Sequence, residues 1–226
     1  VKFKLKKPQI KAIIIHGTGG SPDENWFPYI KKELEKLGVE VYVPKFPTGD
    51  DQRLENWQKA FHEQIPFELD SDTVLIGHSV GATFILDMLN NEVNSPVKAA
   101  ILVSGFYKKL ALPHLEKQLE TFVNLGYDGD KGRKNAGKII QLHGDDDPAV
   151  PLDMAKELSE ILKSDLSIIA GGGHLNRKTG YTDKFPELVS ALKTVFEPNT
   201  SDSHLLAWTT TTWTLPANTS LGVGKD

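Results

Sequence analysis

Three separated segments carry side chains that together could break an acyl bond. Gly77-His78-Ser79-Val80-Gly81 sets a serine between two glycines, with the apolar "VLI" before it and "ATFIL" after it. A serine hydroxyl is a poor nucleophile near neutral pH and needs a base, which a carboxylate must orient. "QLHGDDDPAVP" supplies Asp145, Asp146 and Asp147, and "IIAGGGHLN" supplies His174 behind three glycines. Serine, then acid, then histidine is one of the recurring triad orders. We take Ser79 as nucleophile, His174 as base and Asp147, which opens the loop into "PAVP", as the acid; Asp146 is the alternative. A nucleophile on a tight strand-to-helix turn adopts unfavourable backbone angles, so Gly77 and Gly81 are expected where helix and strand crowd together. The competing reading is a buried turn whose serine only caps a helix.

Acyl transfer also needs backbone N–H groups aimed at the developing oxyanion. The residue after the nucleophile, Val80, is one candidate. The other comes from "HGTGGSPDENW", where Thr18 is preferred and Gly19 is second. That loop is neither G-x-G-x-x-G nor a Gly-Lys-Ser/Thr phosphate loop, and Pro22 removes a donor, so a nucleotide site is not expected. His16, His62, His78, His114, His143 and His204 compete with His174, but only His174 lies on a Gly-rich loop after the last strand. The acidic cluster lacks a matching set of ligands, so neither metal nor cofactor is expected. Trp26, Phe27, Phe106 and Tyr107 follow strand ends and are candidates to line a substrate pocket, with core packing the equal alternative.

These residues require a scaffold that brings strand ends together. Near-continuous apolar runs at 11–15, 39–44, 72–77, 97–104, 137–144 and 165–171 read as parallel strands buried on both faces. Helical patterns fall between and after them, at 26–38, 53–65, 80–91, 151–163 and 185–196. Alternation of this kind implies an α/β fold, a mostly parallel sheet flanked by helices, with ligands at the carboxyl ends of the strands. Residues 105–136 read as one helix-like piece followed by a Gly- and charge-rich loop, a small lid or crossover. The domain is placed at 1–197. The remainder, 198–226, is rich in Thr and Ser and reads as an appendage: a disordered segment, an edge strand or an expression remnant.

Composition narrows the classes further. The chain has 226 residues, 39% apolar and 25% charged, which are globular proportions. A net charge of −4 gives no electrostatic footprint for nucleic acid or anionic membrane. The lack of cysteine excludes thiolate catalysis and disulfides and fits a reducing cytoplasm. No run approaches the roughly 20 apolar residues that span a bilayer, and no signal peptide is evident. The expected partner is a small-molecule ester; oligomeric state is not legible.

Five blocks, "HGTGGSPDENWFPYIKKELEKLG", "FPTGDDQRLENW", "IGHSVGATFIL", "GDDDPAVP" and "GGGHLNRKTGYTDKFPELVSAL", fall in order along residues 10–196. In these the chain resembles the retinoblastoma-binding protein 9 family of small serine hydrolases. The resemblance implies an α/β-hydrolase fold with little or no cap and a triad of Ser79, Asp147 and His174. It further implies hydrolysis of small esters or related acyl compounds. The alternatives are amidase or peptidase chemistry on the same triad, or a protein-binding module with an idle site.

Overall fold

The computed structural model describes residues 9–123 and 126–196. The appendage expected at 198–226, including His204, lies outside the described residues. Among the described residues six strands form one sheet: β1 (Lys11–Ile15), β2 (Glu40–Tyr42), β3 (Thr73–His78), β4 (Ala99–Val103), β5 (Ile139–Gly144) and β6 (Asp165–Ile169). Their order is β2-β1-β3-β4-β5-β6, and every neighbouring pair is parallel. β3 and β4 are buried at every position, which is why they read as unbroken apolar runs rather than alternating ones. The edge strand β6 is largely exposed, with Ile168 open to solvent.

Among the described residues seven helices complete the units: α1 (Phe27–Lys36), α2 (Leu54–Gln64), α3 (Val80–Asn91), α4 (Glu116–Val123), α5 (Gly129–Lys134), α6 (Leu152–Leu162) and α7 (Pro186–Phe196). α1, α2 and α6 each bury one stripe. α3 differs, because Val80 through Asn90 are all buried. A helix buried all round belongs inside the protein, and α3 packs into the main core, its Phe84 against Phe46 and Trp57. Its few polar groups are satisfied: Asp87 accepts from Gln58 Nε2 (3.0 Å) and Asn91 Nδ2 (2.6 Å).

The stretch expected as a Gly- and charge-rich loop contains a helix, α5. The Asp128 carboxylate caps it, accepting from the Asp130 and Lys131 amides. Gly132 is small there because the Tyr127 ring lies against its Cα. The piece before it forms a 3-10 turn (Pro113–Leu115) running into α4, a cap of one short helix.

Successive connections leave β1 toward β2 on one side and return to β3 on the other. That reversal opens a crevice between the carboxyl ends of β1 and β3, the position where open α/β sheets bind ligands.

Candidate active site

Ser79 occupies the single residue between β3 and α3. Its backbone is left-handed, with φ 56° and ψ −122°, a conformation that costs about 1–3 kcal/mol and persists only where surroundings impose it. They do so closely. A Cβ on Gly81 would lie 2.5 Å from the Ile15 and His16 carbonyl oxygens, and one on Gly77 would lie 2.6 Å from the Ala82 nitrogen. A Cβ on Gly17 would meet Ser79 Cβ at 3.1 Å, so the loop after β1 passes directly over the serine. The Ser79 N–H donates to Val103 O at 2.9 Å, tying the turn to β4. Ser79 itself is 9% exposed, and its side chain makes no helix cap.

Asp147 and His174, the expected acid and base, follow the ends of β5 and β6, which are neighbours in the sheet. His174 Nδ1 lies 2.8 Å from Asp147 Oδ2. Because the carboxylate can only accept, this nitrogen carries the proton and Nε2 presents its lone pair. The Asp147 side chain is fully buried, and its Oδ1 accepts from the Ala149 (2.8 Å) and Val150 (3.0 Å) amides. Burial alone pushes the Asp147 pKa up. The hydrogen bond and charge of His174, with those two amides, outweigh it and hold the carboxyl below its ordinary value.

The adjacent aspartates have different partners. Asp145 Oδ1 accepts from Gly171 N–H (2.8 Å) and Asp146 Oδ1 from Gly173 N–H (2.7 Å). Asp146, the alternative acid, therefore holds the backbone of the His174 loop and leaves the imidazole to Asp147. Gly171 and Gly173 have φ of 64° and 52°, which only glycine adopts without strain.

Three other histidines brace the site as neutral side chains. His16 Nδ1–H donates to Gly17 O (2.9 Å) while its Nε2 accepts from Phe46 N–H (3.0 Å). His143 Nε2–H donates to Val150 O at 2.9 Å. His78 Nε2–H donates to the His174 carbonyl at 2.9 Å, and its buried Nδ1 has no partner among the described residues. Burial lowers the pKa of all three; for His78, burial and then the neighbouring His174 bring it to about 3.

Of the candidate oxyanion donors, Val80 begins α3, where the first amides have no intrahelical acceptor and the helix dipole favours negative charge. Gly19 N–H is taken by Gln52 Oε1 at 3.2 Å. Thr18 N–H has no acceptor among the described residues. Gln52, fully buried, also donates from Nε2 to Thr18 Oγ1 (3.2 Å) and Gln118 O (3.3 Å), fixing this loop to α4. Sequence reasoning missed Gln52; a polar residue inside "TGDDQRLENW" gave no sign of burial.

Ser79, His174 and Thr18 line one cleft of about 440 Å³, within the usual range of small-molecule sites. Of the four aromatic candidates, Phe106 lines it. Trp26 and Phe27 are fully buried instead; the Trp26 indole N–H donates to Leu175 O at 3.0 Å, and its ring packs against Phe27 and Phe185. Trp26 thus supports the His174 loop from beneath. Tyr107 lies in a separate crevice of about 20 Å³ with Thr83 and Phe122. The apolar lining also comes from Leu110 and Leu112 ahead of the 3-10 turn, Leu115 in it and Leu119 in α4, and their recurrence every few residues was the available signal. Among the described residues no cluster of His, Asp and Glu suits a metal ion.

A model of the serine hydrolase family matches residues 12–194. The chain belongs to that family. A member-like relative is the YdeN protein of Bacillus subtilis, 31% identical over 191 residues, which span 84% of this chain and 98% of the relative. The crystal structure of the ydeN gene product superposes with a TM-score of 0.74 at 30% identity, over 83% of this chain and 99% of that one. Est1E from Butyrivibrio proteoclasticus, solved with ferulic acid bound, shares the α/β-hydrolase fold at 20% identity (TM-score 0.61, 84% and 88% covered). The B. subtilis carboxylesterase CesB does so at 15% identity (TM-score 0.56, 84% of each chain). The serine hydrolase core therefore spans nearly all the described residues. No described helix is long and apolar enough to cross a membrane.

Proposed function

We propose that this serine hydrolase is a carboxylesterase-type enzyme acting on small acyl esters through an acyl-enzyme on Ser79. In this reading it works as the retinoblastoma-binding protein 9 group, which its sequence blocks resemble, is taken to work. The observation that carries it is the 2.8 Å hydrogen bond between buried Asp147 and His174, which lines the same cleft as a serine held at φ 56°. A serine that merely capped α3 would accept a bond from the first turn; this one does not.

In this mechanism His174 Nε2 takes the Ser79 proton as Oγ attacks the acyl carbon. Asp147 keeps the imidazole in the Nδ1–H tautomer and stabilises the imidazolium that forms. The Val80 and Thr18 amides receive the oxyanion. His174 then gives its proton to the departing alkoxide, and water releases the acid by the same path in reverse. The carboxylate below its ordinary pKa suits this role, since it stays ionised across the working range. A chain without cysteine suits a reducing cytoplasm as the site of action.

Reaction with a fluorophosphonate probe and turnover of p-nitrophenyl butyrate test the reading. The wild-type protein is expected to label on one serine, and Ser79→Ala to lose labelling and at least about a thousandfold in kcat/KM with its fold intact. A folded wild-type protein that neither labels nor turns over ester would leave the binding-module reading standing.

A further inference from the structure

The cleft has two chemically opposite walls. One is apolar, built from Phe106, Leu110, Leu112, Leu115 and Leu119 on the segment between β4 and the middle of α4. The other is polar: Glu24 and Asn25 from the loop after β1, and Asn176, Arg177 and Lys178 from the turn after β6. Asn25 Oδ1 accepts the Arg177 N–H at 2.9 Å, so these two loops form one continuous surface. The Asn176 side chain caps the 3-10 turn that carries both cations, fixing where they start.

Reaction geometry assigns the walls to the two halves of a substrate. The leaving oxygen must receive its proton from His174, so the leaving group lies on the His174 side. His174 stands in the same segment as Asn176, Arg177 and Lys178, only three residues before Arg177. The acyl chain is then left to the leucine wall. Two cations against the single carboxylate of Glu24 make the leaving-group wall net positive. Several surface lysines are neutralised by a neighbour, as Lys36 is by Glu33 and Lys117 by Asp50. Among the described residues neither Arg177 nor Lys178 forms an ion pair.

We propose that the preferred substrate is an apolar acyl chain esterified to an anionic alcohol, whose carboxylate or phosphate is received by Arg177 and Lys178. This rests on the serine hydrolase reading of Ser79 and extends it to the substrate class. The Ser79 Oγ–acyl bond forms as the acyl C–O bond breaks. The serine proton passes through His174 to the alkoxide, which leaves as the free anionic alcohol. Water then releases the fatty acid and restores Ser79.

The test compares three hexanoate esters: those of 4-hydroxybenzoate, of 4-hydroxyphenyl phosphate and of the neutral 4-hydroxybenzamide. For the wild-type protein, kcat/KM for at least one anionic ester is expected to exceed that for the neutral one by about fivefold. This ratio should fall toward one in R177Q/K178Q, stay high in the charge-preserving R177K/K178R, and shrink as salt is raised. The relative rates of the two anions say which group the cations receive. Equal rates for all three esters, or a preference that survives R177Q/K178Q, would overturn the proposal while leaving the hydrolase reading intact. If no ester is cleaved and Ser79 takes no fluorophosphonate, the hydrolase reading fails and this proposal with it.

Discussion

At the scale of single residues, the site is defined as much by its buried neutral histidines as by the Asp147–His174 pair. His78 holds the His174 carbonyl while the His174 ring reaches Asp147, so His174 is fixed through both backbone and ring. With its pKa brought to about 3, His78 is neutral throughout the working range and its donor never changes. We expect His78→Leu to lower kcat by about tenfold or more with KM little altered, because a slightly misplaced base affects chemistry more than binding. His78→Gln keeps an N–H near the position of Nε2 and should recover most of that loss. A melting temperature that falls equally in both variants while kcat tracks it would show a packing role only.

At the scale of elements, close approach between backbones decides where substitutions are tolerated. Gly81 has carbonyl oxygens where its Cβ would go, whereas Gly180 has a φ of 90° and open space around it. Gly81→Ala should therefore cost well over about 2 kcal/mol in chemical denaturation, and Gly180→Ala only about 1 kcal/mol from its backbone conformation. Similar losses would mean that β1 and α3 are not in the contact described. The same contrast explains what could be read from the chain. The strands and larger helices were legible because β3, β4 and α3 are buried so completely that their apolar runs are unbroken. Ser79, Asp147 and His174 could be singled out because Ser79 follows β3 directly and the other two lie in the loops just past β5 and β6. α5 was not legible, since "GDKGRK" has weak helix propensity and forms through a side-chain cap and packing on Tyr127. For Trp26 and Phe27 the core alternative is the one realised; a loop position after a strand does not by itself reveal that a ring turns inward beneath the His174 loop.

At the scale of the whole molecule, acid is the natural weakness. His16, His78 and His143 are buried and neutral, with pKa values lowered chiefly by burial, while in the unfolded chain each takes a proton near pH 6.5. A group whose folded pKa is depressed contributes stability that is present above its unfolded value and is lost as pH falls. Stability should thus begin to fall below about pH 6.5 and continue down toward the folded pKa values. Asp147 adds a further loss once pH drops below about 4. Urea unfolding midpoints across pH 4–8 check this. A His16→Gln/His143→Gln protein should show a shallower dependence, and a flat wild-type profile between pH 6.5 and 4 would contradict the assignment of neutral histidines.

The three consecutive aspartates have a consequence for how such a chain can diverge. Asp145, Asp146 and Asp147 grip Gly171, Gly173 and His174 one to one, from the ends of two strands that are already side by side. The connection through α6, up to the start of β6, can lengthen, shorten or drift without altering the spacing of Asp147 and His174. The leucine cap and the turn bearing Arg177 and Lys178 stand outside that clasp. New selectivities can therefore be tried there by substitution alone, while the reactive chemistry is inherited unchanged.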